Sequence, residues 1–250
     1  MMNNKRILFI VFAMLPITVL AAGQMSFEGT GSIHDILKEK FIQGNPLFMS
    51  FVAITLILGL IFCIERILYL SLSEINTKKF LSQVESLYHK DKEAALNLCR
   101  KTRGPIASIS FQAILHSEEP IEDIERAITA YADVEVGRLE KGCSWITLFI
   151  TLAPSLGFLG TVIGMVISFD NIEMAGDISP TIVAGGMKVA LITTIFGIIV
   201  AVILQIFYNF ILSRIDSLTS QMEQASIDLM DMLRVGQVNS QIYTVSNDHD

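Results

Sequence analysis

Apolar residues along this chain gather into three long runs separated by polar stretches. Two of them, Trp145–Phe169 and Ile182–Leu212, are joined by a short link, 170–181, that holds Asp170, Glu173 and Asp177 but no Lys or Arg. A third run, Pro46–Leu70, precedes them. About 20 helical residues cross a hydrocarbon core of roughly 30 Å, so each run predicts a transmembrane helix. Pro46 suits a first helical position. Between the first and second runs, residues 71–144 are polar and helical in pattern. Asp91 is an expected N-cap, and Pro105 and Pro120 are expected first-turn residues. Ile121, Ile124, Ile128, Tyr131 and Val134 recur every three or four positions and predict an amphipathic helix that feeds the second span without a break. After the third run, Leu212, Ile215, Leu218, Met222, Ala225, Leu229 and Met232 alternate in steps of three and four. That is a heptad seam, which predicts a helical extension packed on a neighbouring subunit or on the helix feeding the second span. Residues 236–250 are polar and are expected to be a disordered tail.

The start of the chain has two readings. Lys5 and Arg6, the short apolar core Ile7–Leu20 and the small residues Ala21, Ala22 and Gly23 form a secretory signal pattern over 1–23. The alternative is an uncleaved membrane anchor; the short core favours cleavage. Residues 24–45 then form a polar segment with an amphipathic stretch over Ile33–Phe41.

Composition agrees with the pattern. Apolar residues make up 52% of the 250 positions and charged residues 17%, so the net charge of −7 carries little information about soluble partners. No basic cluster interleaved with aromatics is present, and nucleic-acid binding is set aside. Cys63, Cys99 and Cys143 do not suggest a disulfide framework. The four histidines lack metal-ligand spacing, and no catalytic motif is found, so no metal, cofactor or catalytic residue is expected. Charge also orients the chain. The 71–144 segment has ten basic residues and the 170–181 link none. The positive-inside rule therefore places 71–144 and the C-terminus in the cytoplasm, and the link and the N-terminus outside.

The candidate chemistry lies in the second and third spans. Gly157, Thr161, Gly164 and Ser168 share one helical face, and Ala190, Thr194, Gly197 and Ala201 share another, with Gly186 one turn earlier. Small residues let helices approach closely in lipid. Packing alone accounts for such stripes, and a membrane threonine often bonds its own backbone. The alternative is a polar path. Thr161 and Thr194 both lie roughly 5–6 Å to the outer side of the midplane at 1.5 Å per residue. Neither hydroxyl relays protons by itself at neutral pH, and the chain has no ionisable group at that depth, so a second protein is expected to supply a carboxylate. Lys188 near the outer end reads as an interfacial residue, and Glu65–Arg66 near the inner end as an ion pair that fixes the depth of the first span.

The run Ala153-Pro154-Ser155-Leu156-Gly157-Phe158-Leu159-Gly160-Thr161-Val162-Ile163-Gly164 resembles the second-span motif of the MotA/TolQ/ExbB proton-channel family. Ala190-Leu191-Ile192-Thr193-Thr194-Ile195-Phe196-Gly197 resembles its third-span motif, and Glu65-Arg66 is similar to the family pattern after the first span. The resemblance covers residues 46–234. It implies an all-α integral membrane protein of the bacterial inner membrane, assembled as a pentamer around two copies of an ExbD- or TolR-like single-span partner with an intramembrane aspartate. It also implies a TonB- or TolA-like transducer that carries work to the outer membrane. Thr161 and Thr194 then face the partner's aspartate, with Gly157, Gly164, Ala190 and Gly197 lining the same path. Many members carry a glutamate five residues before the position of Thr194; this chain has Val189 there, so no role for that glutamate carries over. A signal segment and three retained spans favour an ExbB-like over a TolQ-like or MotA-like subunit. A non-energised membrane scaffold or channel is the alternative from another class.

Overall fold

The computed structural model describes residue 44, residues 46–176 and residues 180–247, with the side chains at 175, 182 and beyond 236 outside that description. The signal segment expected over 1–23 and the amphipathic stretch over 33–41 lie outside the described residues.

Seven described helices follow one another: α1 Pro46–Ser73, α2 Thr77–Tyr88, α3 Lys92–Lys101, α4 Pro105–Leu115, α5 Ile121–Glu140, α6 Cys143–Ala175 and α7 Pro180–Asn247. Among the described residues no strand is present. Three of these helical stretches are long and apolar enough to cross a membrane. The expected spans are therefore present, with shifted ends. Helix α1 runs on to Ser73, and α6 and α7 extend into the link expected over 170–181, which leaves only 176–179 between them.

Helices α6 and α7 form an antiparallel hairpin, and α1 packs against both. Gly59 gives the Leu204 side chain room against α1, since a Cβ there would lie 2.6 Å from it. Less than one turn further along α1, Phe62 stacks on Trp145 with ring centroids 6.1 Å apart and meets Phe149 at 5.9 Å. At 1.5 Å per residue α7 is about 100 Å long, so its second half continues well past a bilayer. Helices α2, α4 and α5 pack against it there. Asn76 caps α2 by accepting from the Lys79 N–H at 3.2 Å, and Asp91 caps α3 by accepting from Glu93 N–H at 2.9 Å, as expected for Asp91. Pro105 opens α4, whereas Pro120 sits one position earlier than expected, as the N-cap of α5.

Three expectations about these helices change. First, α5 does not run unbroken into the second span. Lys141 and Gly142 interrupt it, and Gly142 takes φ +89°, a left-handed conformation that glycine adopts without a Cβ penalty. Second, the buried face of α5 is Ile124, Ile128, Glu135 and Leu139, while Tyr131 and Val134 are exposed. Steps of three carry Val134 away from Ile124 around a 3.6-residue helix, whereas Glu135 returns to its face. Glu135 accepts a hydrogen bond from Arg138 Nη1 at 2.6 Å, which keeps its buried carboxylate paired. Third, the seam on α7 is buried at Ile211, Ile215, Leu218, Met222, Ala225, Leu229 and Leu233; Leu212 is exposed and Met232 half-buried. From 211 to 233 is 22 residues, six turns of a straight helix, where a strict heptad takes 21. The seam packs on α4 and α5 of its own chain, including the helix that feeds the second span. The stretch expected to be a disordered tail is helical as far as Asn247, because propagating a long helix needs no new nucleus and no proline intervenes.

Candidate functional site

The α6–α7 hairpin closes on residues with little or no side chain. A Cβ on Gly157 would lie 3.1 Å from the Thr194 Cα, one on Gly164 3.1 Å from the Ala190 Cβ, and one on Gly197 2.6 Å from the Ala153 carbonyl oxygen. Gly186 lies against Ser168 in the same way, with 2.4 Å to its side chain. The expected small-residue stripes thus meet each other within one chain. Gly157, Gly164, Ala190 and Gly197 are covered there, and the close approach they allow brings two polar groups together.

Those groups are the two hydroxyls. Thr161 Oγ1 and Thr194 Oγ1 are in direct hydrogen-bond contact. Each also lies 3.2 Å from the Gly157 carbonyl oxygen, and Thr161 Oγ1 lies 3.2 Å from that of Ala190. Each hydroxyl has a single proton to donate. The cluster therefore has several proton arrangements, none of which places a charge there, and each leaves lone pairs open. Both side chains are half-buried, with one side left uncovered by the chain. Thr193 differs: it is buried, its hydroxyl donates to the Val189 carbonyl at 3.2 Å, and its methyl occupies the space left by Gly160. The small-residue face expected for the third span carries Thr194 and not its neighbour Thr193. The position of the family's glutamate, Val189, holds a half-buried aliphatic side chain.

The expected interfacial charges are placed as follows. Arg66 donates through Nε and Nη2 to the two Glu65 carboxylate oxygens at 2.7 and 2.5 Å. Its Cζ lies 5.0 Å from the Tyr69 ring centroid, and its guanidinium lies against Gly142 at the α5–α6 break. Arg66 is buried while Glu65 is exposed, so the carboxylate compensates a charge that the fold encloses. Nη1 is buried without a partner. Lys188 is exposed on the side of α7 that carries Ile195, about 120° around the helix from Thr194.

A hairpin of apolar helices long enough to cross a membrane, with hydroxyls at its closest approach and one helix continuing well past it, defines a multi-span membrane protein. Residues 100–224 match the model of the MotA/TolQ/ExbB proton channel family, and the chain belongs to that family. It is 32% identical over 187 residues to an ExbB homolog named as a biopolymer transport protein in Methanothermobacter thermautotrophicus, covering 74% of this chain and 66% of that protein. It is 29% identical over 181 residues to an ExbB-like protein of Synechocystis, covering 71% of each. The fold is similar to that of C. jejuni MotAB, with a TM-score of 0.58 over 93% of this chain and 90% of that one, at 13% identity.

Proposed function

We propose that this chain is an ExbB-like subunit of an ion-driven motor in the bacterial inner membrane, and that Thr161 and Thr194 form the protein side of its ion path. The observation that carries the reading is the hydroxyl pair, which is neutral, held by backbone carbonyls and open on one side. Such a pair donates to a carboxylate and passes a proton through water without trapping it. A single-span partner with an intramembrane aspartate, like ExbD or TolR, supplies the group that titrates. Several copies of the chain, a pentamer in this reading, surround that partner, and a TonB-like transducer carries the work outward. One charge moved across 100 mV is worth about 2.3 kcal/mol, so a few protons drive a mechanical step. The helical unit, which holds the ten basic residues of 71–144, lies in the cytoplasm, and the link between α6 and α7, which holds none, lies outside.

Purification from native membranes in mild detergent, with mass spectrometry of what accompanies the chain, tests this. A single-span protein with an aspartate in its span is the expected companion. A TonB-like third component selects outer-membrane uptake, and a TolA-like one selects a TolQ-like envelope role. Recovery of the chain alone after gentle cross-linking points to the scaffold.

A further inference from the structure

The side of the hairpin that carries the hydroxyl pair changes character along its length. Within about 6 Å of the level of the pair it presents Phe158, Leu191 and Ile198, all exposed and apolar, Leu191 on the outer side and Phe158 and Ile198 on the side of the helical unit. Towards the helical unit it presents Thr147 and Thr151 from α6 and Gln205 and Asn209 from α7, all exposed. The register is set by the hydroxyl contact. At 1.5 Å per residue, Thr151 and Thr147 lie about 15 and 21 Å beyond Thr161, and Gln205 and Asn209 about 17 and 23 Å beyond Thr194. At about 100° per residue, all four lie within about 80° of the hydroxyl on their own helix. They are still within the apolar belt, because Trp145, Leu148, Val202 and Leu212 at the same levels are exposed.

The threonines satisfy their hydroxyls on their own backbone, Thr147 to Cys143 and Thr151 to Thr147 and Leu148. The amides do not. Gln205 Nε2 donates to Asn209 Oδ1 at 3.1 Å, and that bond leaves the Gln205 oxygen, one Gln205 N–H and both Asn209 N–H groups open. Open amide groups facing hydrocarbon are strongly disfavoured, while groups lining water are not.

We propose that Thr147, Thr151, Gln205 and Asn209 line a water-filled half-channel that runs from the mouth beside the helical unit towards the hydroxyl pair, while Phe158, Leu191 and Ile198 form a dry collar at the level of the pair against the partner helix. The assignment deepens the motor reading and rests on it for the ion that uses the path, but not for the water. The ion then meets one dry barrier, at the hydroxyl pair, and beyond it passes into an aqueous path that contains no titrating side chain.

The test is thiol accessibility in inside-out membrane vesicles. Gln205→Cys, Ile198→Cys and Ile199→Cys are each placed in a Cys143→Ser background, because Cys63 and Cys99 are buried. A charged, membrane-impermeant methanethiosulfonate is added to the side of the helical unit. Gln205→Cys is expected to react within about 10-fold of Glu223→Cys, an exposed position on the extramembrane part of α7, and at least about 100-fold faster than the two isoleucine sites, where the thiolate is suppressed. Reaction at Gln205→Cys as slow as at Ile199→Cys overturns the half-channel. If the cysteine variants do not assemble, the paired Gln205→Leu, Asn209→Leu variant gives the second readout: proton flux at least about 10-fold lower, restored by Gln205→Ser, Asn209→Ser, or, against the proposal, unchanged. Fast labelling with normal flux after loss of both threonine hydroxyls leaves the water path standing and removes the motor reading. Slow labelling with flux lost in those threonine variants does the reverse.

Discussion

Replacing Gly197 by alanine tests whether the hairpin's close approach holds the hydroxyls together. The added Cβ would lie 2.6 Å from the Ala153 carbonyl oxygen, a backbone atom that no rotamer change can move. An ordinary carbon–oxygen contact is about 3.3 Å, so α6 and α7 must part by roughly 0.7 Å at this level. Overpacking of that size costs about 1–3 kcal/mol. Alanine also gains about 0.5–1 kcal/mol of helix propensity over glycine, and a matched control removes that gain. Gly185 lies on the same helix, and its Cβ would meet nothing within 4 Å, so Gly185→Ala reports propensity alone. Thermal unfolding of the purified protein in one detergent should therefore place Gly197→Ala about 1–3 kcal/mol below Gly185→Ala. The separation should also loosen the Thr161–Thr194 contact, one turn from Gly197, and reduce ion flux. Equal unfolding temperatures for the two variants would refute the reasoning.

Two further outcomes are expected. In the helical unit, Leu229→Ala should destabilise by about 2–5 kcal/mol and Met232→Ala by much less, since the first is fully buried in the seam and the second is half-buried; denaturant unfolding separates them, and equal losses would argue for the heptad register instead. Burial pushes the Cys99 thiol up to about 11, so at pH 8 only about 0.1% of it is thiolate, and iodoacetamide should modify it in unfolded but not in folded protein; rapid modification of the folded form contradicts the packing of α3.

The spans and the Thr161–Thr194 level were legible because membrane physics writes them in long stretches: apolar runs, small-residue stripes and basic-residue asymmetry. The ends were less so. Nothing local marks where a helix that has left the bilayer should stop, and α7 runs through its polar tail. The α5 face was misread at Tyr131 and Val134 because apolar type was followed rather than the 3.6-residue period, which buries the paired Glu135 instead. The small residues were readable as a stripe, but a stripe does not say whether it meets a partner or the next helix of its own chain. Gln205 and Asn209 passed unnoticed because each is a single amide in an apolar run, although spacings of 11 and 15 residues from Thr194 put both near its face of the helix.

The central claim is that the two hydroxyls, and not merely the shape around them, carry the ion. Valine keeps the threonine shape and removes the hydroxyl, while serine keeps the hydroxyl. Proton flux under an imposed gradient should be measured in vesicles that hold the chain with its co-purified partner, for Thr161→Val, Thr194→Val and for Thr161→Ser, Thr194→Ser, with assembled size checked in each. A lost hydrogen bond to a charged group is worth about 1.5–3 kcal/mol, so the valine pair should conduct at least about 10-fold less at unchanged size, and the serine pair close to the native rate. A valine pair that assembles and conducts like the native protein contradicts the account.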